Sequence, residues 1–262
     1  MSINFPNIDR YIIKFSDKIG VTWYSLSYVA GILIGWKYAL YLIKKTHAKI
    51  SEKDLDDFVT YAIIAIIIGG RLGYVFLYDP VRYLSNPIEI LKTYEGGMSF
   101  HGGLLGLIIT CYFFCKYKNI RFLEFSDILV QAAPIGLGLG RIANFINAEL
   151  YGSVTNMPWG VIFPYAGTLP RHPSQIYEAL TEGLLLLLIL AYFSHAKDLY
   201  KQEGRITGLF LILYATARSF CELFRIPDFV FLSLTSGQIY SIPMIFFGLF
   251  LLIRKTAHND RK

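Results

Sequence analysis

The chain has 262 residues, of which 54% are hydrophobic and 17% charged, and its mean hydropathy is +0.45. This composition excludes an ordinary water-soluble domain and predicts an all-α, polytopic membrane protein that forms a single integral membrane domain over residues 1–262. The net charge of +6 arises from basic residues that flank apolar stretches rather than from one patch. That distribution favours membrane orientation over nucleic-acid binding, so we predict no nucleic-acid partner.

Seven apolar stretches approach the length of about 20 residues that a helix needs to cross a bilayer. In chain order they are residues 21–43, 57–78, 99–116, 123–147, 174–194, 206–225 and 236–254. Basic loops follow the first, third and fifth stretches, and the C-terminal tail is also basic. Because short cytoplasmic loops carry an excess of Lys and Arg, we predict about seven transmembrane helices with the N-terminus outside and the C-terminus cytoplasmic. Three cations of the N-terminal tail, Arg10, Lys14 and Lys18, oppose this orientation.

The cysteines give no sign of a metal site or a disulfide framework. Cys111, Cys115 and Cys221 all fall inside apolar stretches, and their odd number and scatter are typical of small buried core residues. The sequence also lacks a His-Glu-x-x-His motif, the zinc-binding pattern of many metalloproteases. We therefore predict neither a metal nor another cofactor.

Polar residues interrupt the first three stretches. Tyr24 is either an interfacial aromatic residue or part of a site. Arg71, in the second stretch, either faces a polar cavity or pairs with an acid elsewhere. His101 lies at the start of the third stretch, and histidine exchanges protons near neutral pH. A lone histidine at a membrane edge is nevertheless more often packed or solvated than catalytic.

The fourth stretch ends in a polar segment, residues 140–152, with the sequence Gly-Arg-Ile-Ala-Asn-Phe-Ile-Asn-Ala-Glu-Leu-Tyr-Gly. An arginine at membrane depth costs about 2.5–3.5 kcal/mol on insertion scales, which makes Arg141 a candidate functional residue. Arg141 and Asn144 lie on neighbouring faces of one helical turn, so both can point into a shared cavity.

The sixth stretch carries a polar stripe. Its members, spaced i, i+4, i+8 and i+11, are Tyr214, Arg218, Glu222 and Arg225. Arg218 and Glu222 can pair at i, i+4, which lowers the cost of keeping both in the bilayer. Such a pair either only fixes helix packing or belongs to a site. Two arginines accompany one acid here, and Arg141 adds a third cation, so a cavity built from these residues is predicted to lack anions. A phosphate would fill that deficit, because the planar guanidinium binds phosphate well.

Residues 140–152 resemble the signature of the prolipoprotein diacylglyceryl transferases, approximately Gly-Arg-x-x-Asn-Phe-x-Asn-x-Glu-x-x-Gly, and every specified position is filled. Other motifs typical of that family recur in the expected order: His101-Gly102-Gly103, Arg171-His172-Pro173-Ser174-Gln175-x-Tyr177-Glu178, and Arg218-x-x-x-Glu222-x-x-Arg225-x-Pro227-Asp228. Family members also carry important tyrosines at the positions that match Tyr24 and Tyr214. The resemblance covers nearly the whole chain.

The resemblance implies a multi-pass enzyme of the bacterial cytoplasmic (inner) membrane. Such an enzyme transfers the diacylglyceryl group from the membrane lipid phosphatidylglycerol to the thiol of the lipobox cysteine in a prolipoprotein signal peptide, and releases glycerol phosphate. Under this hypothesis His101 is the base toward the incoming thiol, while Arg141 and Arg218 hold the lipid phosphate. The predicted substrate-binding residues are Tyr24, Asn144, Glu149, Gly152, Tyr214, Glu222 and Arg225.

A lipid or anion transporter remains the alternative, since it also places arginines and an acid in a cavity. Transporters commonly show internal repeats or broken helices, and neither is evident in this sequence.

Overall fold

A computed structural model describes residues 2–6, 8–16, 20–46, 48–93 and 96–254, and it is mostly helical. The α-helices in these ranges are α1 Trp23–Thr46, α2 Glu52–Tyr78, α3 Pro80–Ser85, α4 Phe100–Lys118, α5 Phe122–Ile146, α6 Ser174–Glu178, α7 Leu186–His195, α8 Arg205–Cys221 and α9 Ser236–Ile253. A π-helical segment, Ala179–Leu185, joins α6 to α7 in one continuous helix. Short 3-10 turns occupy Pro87–Leu91 and Leu199–Lys201. Lys18 and the basic tail after residue 254 lie outside the described residues.

Six helices in the described part of the chain are long and apolar enough to cross a membrane: Trp23–Thr46, Glu52–Tyr78, Phe100–Lys118, Phe122–Ile146, Ser174–His195 and Ser236–Ile253. They match the first five predicted stretches and the seventh, and the prediction of a helical, multi-pass membrane protein is confirmed. The sixth stretch forms α8, which has 17 residues and ends at Cys221, four residues earlier than predicted. The count of seven spanning helices and the orientation of the termini stay predictions.

Short strands supplement the helices outside these spans. β1 (Ile3–Asn4) pairs in parallel with β4 (Val161–Ile162), which attaches the N-terminal segment to the loop after α5. β2 (Tyr11–Lys14) and β3 (Gly20–Thr22) form an antiparallel hairpin before α1. The antiparallel pair β5 (Val230–Phe231) and β6 (Leu234–Thr235) precedes α9.

The chain divides into two compact units, and the smaller one is Ile43–Phe125. Its helices α2 and α4 pack through glycines, because a Cβ on Gly102 would overlap the carbonyl of Gly69. Away from those glycines, the buried rings of Phe58 and Phe114 lie 5.4 Å apart. Close glycine packing of this kind is typical of helices in membranes, where van der Waals contact replaces the hydrophobic effect.

The larger unit contains Met1–Leu42 and Ser126–Lys262. In it, the buried carboxylate of Asp127 accepts hydrogen bonds from the backbone N–H of Gly204 and of Thr207, each at 2.7 Å. This side chain satisfies orphan N–H groups at the start of α8 and stabilises the positive end of its dipole. Gly138 of α5 lies against Gly183, so the two backbones approach closely. These two contacts bring α5, the α6–α7 helix and α8 together.

Candidate functional site

Arginines of α5 and α8 converge on one glutamate of the α6–α7 helix. Arg141 Nε lies 3.3 Å from Glu178 Oε2, and Arg218 Nη1 lies 2.6 Å from Glu178 Oε1. Arg225, in the turn after α8, contacts the same Oε1 at 2.9 Å. The side chain of Glu178 is fully buried. A single carboxylate therefore binds three guanidinium groups.

A second buried glutamate, Glu182, follows one helical turn later. Its Oε2 is 3.6 Å from Arg141 Nη2, and its Oε1 is 3.8 Å from Arg218 Nη1. Among the described residues neither oxygen has a hydrogen-bond partner, although the side chain is fully buried. Burying an ionised carboxylate is costly unless opposite charges lie close by. Arg141 and Arg218 supply these charges, but they lie farther from Glu182 than from Glu178.

The third acid is Glu222, directly after α8. Its Oε1 is 2.6 Å from Arg218 Nη2, which confirms the predicted i, i+4 pair, and 3.5 Å from Arg225 Nε. Room for this side chain depends on Gly237 at the start of α9, because a Cβ there would overlap the Glu222 carboxyl group.

The predicted shortage of anions is wrong. Among the described residues, the three arginines contact three glutamates, and sequence reasoning missed Glu178 and Glu182 as members of the cluster. The signal was available: both are carboxylates inside an apolar span, four positions apart on one helical face. A phosphate that entered this cluster would compete with the carboxylates for the arginines rather than fill an empty place.

The helix that carries the two central acids is locally irregular. Ala179–Leu185 is π-helical, and Glu182 lies within it. Single π-helical turns inside α-helices are rare and occur frequently at functional sites. The contact between Gly183 and Gly138 sets this irregular turn directly against α5, which carries Arg141.

A strained turn after α5 presents Glu149. The flanking residues Ala148 and Leu150 have φ values of 54° and 57°, in the left-handed region that costs a non-glycine residue about 1–2 kcal/mol. Asn144 Nδ2 donates to Glu149 Oε1 at 2.7 Å, and Gln175 Nε2 donates to the Glu149 carbonyl at 2.6 Å. Backbone strain of this kind persists only where surrounding contacts hold the conformation in place. Such strained residues are frequent at functional sites.

An open cavity of about 480 Å3 adjoins this turn in the larger unit; it is lined by Arg10, Thr22, Tyr24, Asn147 and Glu149. Tyr24 is half-buried, and its hydroxyl lies 3.3 Å from that of Tyr28. It also lies close enough to Glu149 and Arg141 to interact electrostatically with both. The wall of the cavity therefore offers a cation, a carboxylate, an amide and hydroxyl groups to a polar ligand.

Two other predicted site residues adjoin the cluster. Tyr214 lies one turn before Arg218 in α8 and interacts electrostatically with Glu182 and with Arg218. Gly152 instead belongs to a main-chain junction, where its N–H donates to the His172 carbonyl at 2.9 Å and a Cβ would overlap the Phe224 carbonyl. Because Gly152 also bridges to Arg225, it fixes the backbone that carries that arginine.

His101 belongs to the smaller unit. It is the second residue of α4, its side chain is exposed, and its ring centroid lies 5.6 Å from that of Phe100. Ser99 caps this helix by accepting a hydrogen bond from the Gly102 N–H at 3.3 Å. The histidine thus lies in a defined first helical turn.

In the loop before α6, burial lowers the pKa of His172. Its Nδ1 lies 3.1 Å from the hydroxyl of Tyr177, which also accepts a hydrogen bond from Trp159 Nε1 at 2.7 Å. These contacts favour a neutral imidazole and give His172 a packing role beside the cluster.

The chain is similar to members of one protein family along nearly its whole length. A family model described as prolipoprotein diacylglyceryl transferase matches residues 10–254. A phosphatidylglycerol–prolipoprotein diacylglyceryl transferase of Rickettsia felis is 55% identical over 254 residues, which cover 95% of this chain and 98% of the relative. Relatives with the same name are 55% identical in Rickettsia bellii, over 99% of this chain and 100% of the relative, and 54% identical in Rickettsia typhi, over 95% and 97%.

Proposed function

This chain belongs to the prolipoprotein diacylglyceryl transferase family, and from that premise we propose how its buried charged cluster serves the family's reaction. The protein is a multi-pass membrane transferase that moves a diacylglyceryl group from phosphatidylglycerol to a prolipoprotein. We place it in the bacterial cytoplasmic membrane. The family match includes residues of both compact units, which supports treating residues 1–262 as one functional domain.

The proposed acceptor is the thiol of the lipobox cysteine in the signal peptide. Its sulfur attacks the glycerol carbon that carries the phosphate ester, so a C–S bond forms while the C–O bond to phosphate breaks. The leaving oxygen keeps the electron pair and departs as glycerol phosphate, and the thiol proton passes to a base. Because a thiolate is far more nucleophilic than a thiol, removal of that proton is required. We assign the base role to His101, which is exposed in the first turn of α4.

Arg141 and Arg218 are proposed to bind the phosphate, because the negative charge of the leaving group grows as the C–O bond breaks. Preorganised cations aimed at developing charge are among the largest contributions to catalysis. The observation that carries this proposal is the convergence of both guanidinium groups on Glu178 at 3.3 and 2.6 Å. Groups that share one carboxylate are also spaced to share one phosphate.

The three glutamates then have a defined task. With no lipid bound, Glu178, Glu182 and Glu222 compensate the arginines and keep the buried charges near balance. A lipid phosphate takes over contacts to Arg141 and Arg218, while Glu222 and Glu178 keep Arg225 in place. The exchange of one anion for another avoids an uncompensated buried cation at any stage.

The remaining predicted binding residues are assigned to the rest of the lipid head group. Tyr24 and Glu149 line the open cavity, and Asn144 orients the Glu149 carboxylate, so these groups suit the glycerol hydroxyls. Tyr214 is proposed to contact the ligand from α8, and Gly152 to act through the backbone of Arg225.

The nucleophile is proposed to come from the substrate. Cys221 is the cysteine nearest the cluster in sequence, but it is fully buried and its Sγ lies 3.3 Å from Thr181 Oγ1. A cysteine in that position suits packing beside the cluster rather than attack on a lipid.

Labelled phosphatidylglycerol tests the assignment. We expect the purified protein to move a label from the lipid's diacylglycerol part onto a peptide that contains a lipobox cysteine, and not onto the same peptide with that cysteine replaced by serine. Label that crosses a vesicle membrane without attachment to sulfur would instead support the transporter alternative.

The base assignment has its own test. His101→Gln is expected to lower the turnover rate and remove the ionisation of a histidine from the pH–rate profile, because glutamine cannot take up the thiol proton. Retained activity with an unchanged profile would remove His101 from this role.

A further inference from the structure

Arg71 of α2 is enclosed by the loop that leads to α4. Its side chain is only 5% exposed. The guanidinium group donates to five main-chain carbonyls, those of Glu89, Ile90, Lys92, Gly96 and Gly97. Three of these contacts are short, at 2.6 Å to Glu89, 2.8 Å to Ile90 and 2.7 Å to Gly96. One side chain therefore ties together two separate parts of the loop.

The second part of that loop is shaped around the arginine. Gly97 has a φ of +78°, and a Cβ at this position would lie 2.7 Å from Arg71 Nη1. A side chain here would both strain the backbone and push the guanidinium away. From the other side, the ring of Tyr83 lies 5.1 Å from the Arg71 guanidinium carbon and adds a cation–π contact.

The same contacts continue into the first turn of α4. Two residues after Gly97, the N–H of Ser99 donates to the carbonyl of Gly70 at 2.8 Å, so the residue next to Arg71 holds the start of α4. The Ser99 hydroxyl then caps the helix at Gly102. His101 lies between these two points. A continuous set of bonds therefore runs from Arg71 through Gly97 and Ser99 to the turn that carries the histidine.

We propose that Arg71 is a positioning residue for His101: by holding the carbonyls of residues 89–92 and 96–97 it fixes where the first turn of α4 begins, and so where the imidazole lies. This inference rests on the proposed base role of His101. Arginine is required because its planar group presents five N–H donors in fixed directions, whereas lysine presents three on a compact ammonium. Lysine would keep the charge and lose the geometry.

The test compares Arg71→Lys with Arg82→Gln. Arg82 is an arginine of the same loop region that pairs with Glu89 at 2.7 Å on the protein surface, and surface pairs of this kind contribute little. We expect Arg71→Lys to lower kcat by about 10- to 100-fold, the effect of a misplacement of roughly 1 Å, with KM for phosphatidylglycerol changed by less than about 2-fold. Arg82→Gln should leave both constants unchanged.

A double-mutant cycle with His101→Gln shows whether Arg71 acts through the histidine. If it does, Arg71→Lys has little further effect on kcat once His101 is replaced, because the group that it positions is gone. A full additional 10- to 100-fold loss in the double variant would overturn the proposal, as would a rise in KM that accounts for the whole defect. Melting temperatures within about 3 °C of the wild type confirm that the variants compared are folded.

Hydrogen exchange separates this inference from the function on which it depends. Arg71→Lys is expected to speed amide exchange in residues 96–103, while Arg82→Gln leaves it unchanged. If His101→Gln keeps full activity, the base assignment fails, and faster exchange in Arg71→Lys then shows only that the loop is held. If exchange in residues 96–103 does not change, Arg71 does not position that turn, whatever the role of His101.

Discussion

Both compact units contain largely buried arginine side chains, but the two units satisfy these side chains with different partners. In the smaller unit the guanidinium group of Arg71 donates to main-chain carbonyls. In the larger unit Arg141, Arg218 and Arg225 contact the carboxylates of three glutamates. Carbonyls are neutral and belong to the backbone, so they cannot release the arginine unless the loop changes its fold. Carboxylates compensate the charge, and another anion can take their place.

This difference is consistent with a structural role for Arg71 and with the ligand-binding role that we propose for Arg141 and Arg218. Main-chain carbonyls point the negative ends of their dipoles toward the guanidinium group, so this environment would repel a phosphate. A cluster of ion pairs differs because its arginines can exchange a carboxylate for another anion, which is the role we propose for the lipid phosphate. The polarity of the partner, rather than the burial of the arginine, is what indicates a binding function.

The largest effect is expected from Glu178→Gln, which removes the charge that three arginines share. Breaking a buried ion pair by neutralising one partner costs about 3–5 kcal/mol, so the melting temperature in detergent should fall by several degrees, and transfer to a lipobox peptide should be lost. Glu89→Gln, which removes a partly exposed carboxylate paired with Arg82 on the protein surface, is the control and should do neither. An active, stable Glu178→Gln protein would show that the shared carboxylate is not needed.

Arg141→Lys tests whether the cluster requires the shape of the guanidinium group or only its charge. We expect kcat/KM for phosphatidylglycerol to fall by about 10- to 100-fold, because an ammonium cannot bind phosphate through two parallel bonds. The fold should persist, since Arg218 and Arg225 still compensate Glu178. Normal turnover of the lipid would count against bidentate recognition.

A smaller and opposite effect is expected from Glu182→Gln. The carboxylate contacts Arg141 and Arg218 only at 3.6 and 3.8 Å, and under the proposed mechanism it competes there with an incoming phosphate. Its neutralisation should strengthen inhibition by glycerol phosphate about 3- to 10-fold, which corresponds to about 0.6–1.4 kcal/mol. Weaker inhibition would mean that Glu182 supports the phosphate site rather than competing with it.

The smallest effect concerns His172, a partly buried titratable group whose Nδ1 lies 3.1 Å from the neutral Tyr177 hydroxyl. Burial lowers its pKa in the folded protein. Below the unfolded value of about 6.5 the unfolded chain binds a proton that the folded chain does not, so stability falls as the pH drops from that point. A decrease in melting temperature of less than about 3 °C between pH 7 and pH 5.5 is expected, and His172→Gln should lack it.

Sequence reasoning was strongest where the information is local. Long apolar runs predicted the helices that match the membrane in length, and the i, i+4 spacing predicted the pair of Arg218 with Glu222. It failed where partners lie far apart in the chain. Nothing in the spacing of Arg141 indicates that Glu178, 37 positions later, is its partner, since that depends on the close approach of Gly138 and Gly183.

Arg71 shows a second limit of sequence reasoning. Its two predicted environments were a polar cavity and an acidic partner, because those are the usual ways to accommodate a cation among apolar residues. The observed solution uses backbone carbonyls, which every residue carries and no motif marks. The paired glycines at 96 and 97, each with a positive φ, were the available sign that the backbone turns sharply there.

The sharing of one acid by Arg141, Arg218 and Arg225 has a consequence for any mutational survey of this protein. Replacing one of these side chains redistributes the remaining bonds among the others, so measured defects will depend on the genetic background in which they are made. A second substitution is then expected to restore part of what the first removed, and suppressor mutations should accumulate at these few positions rather than across the helices around them.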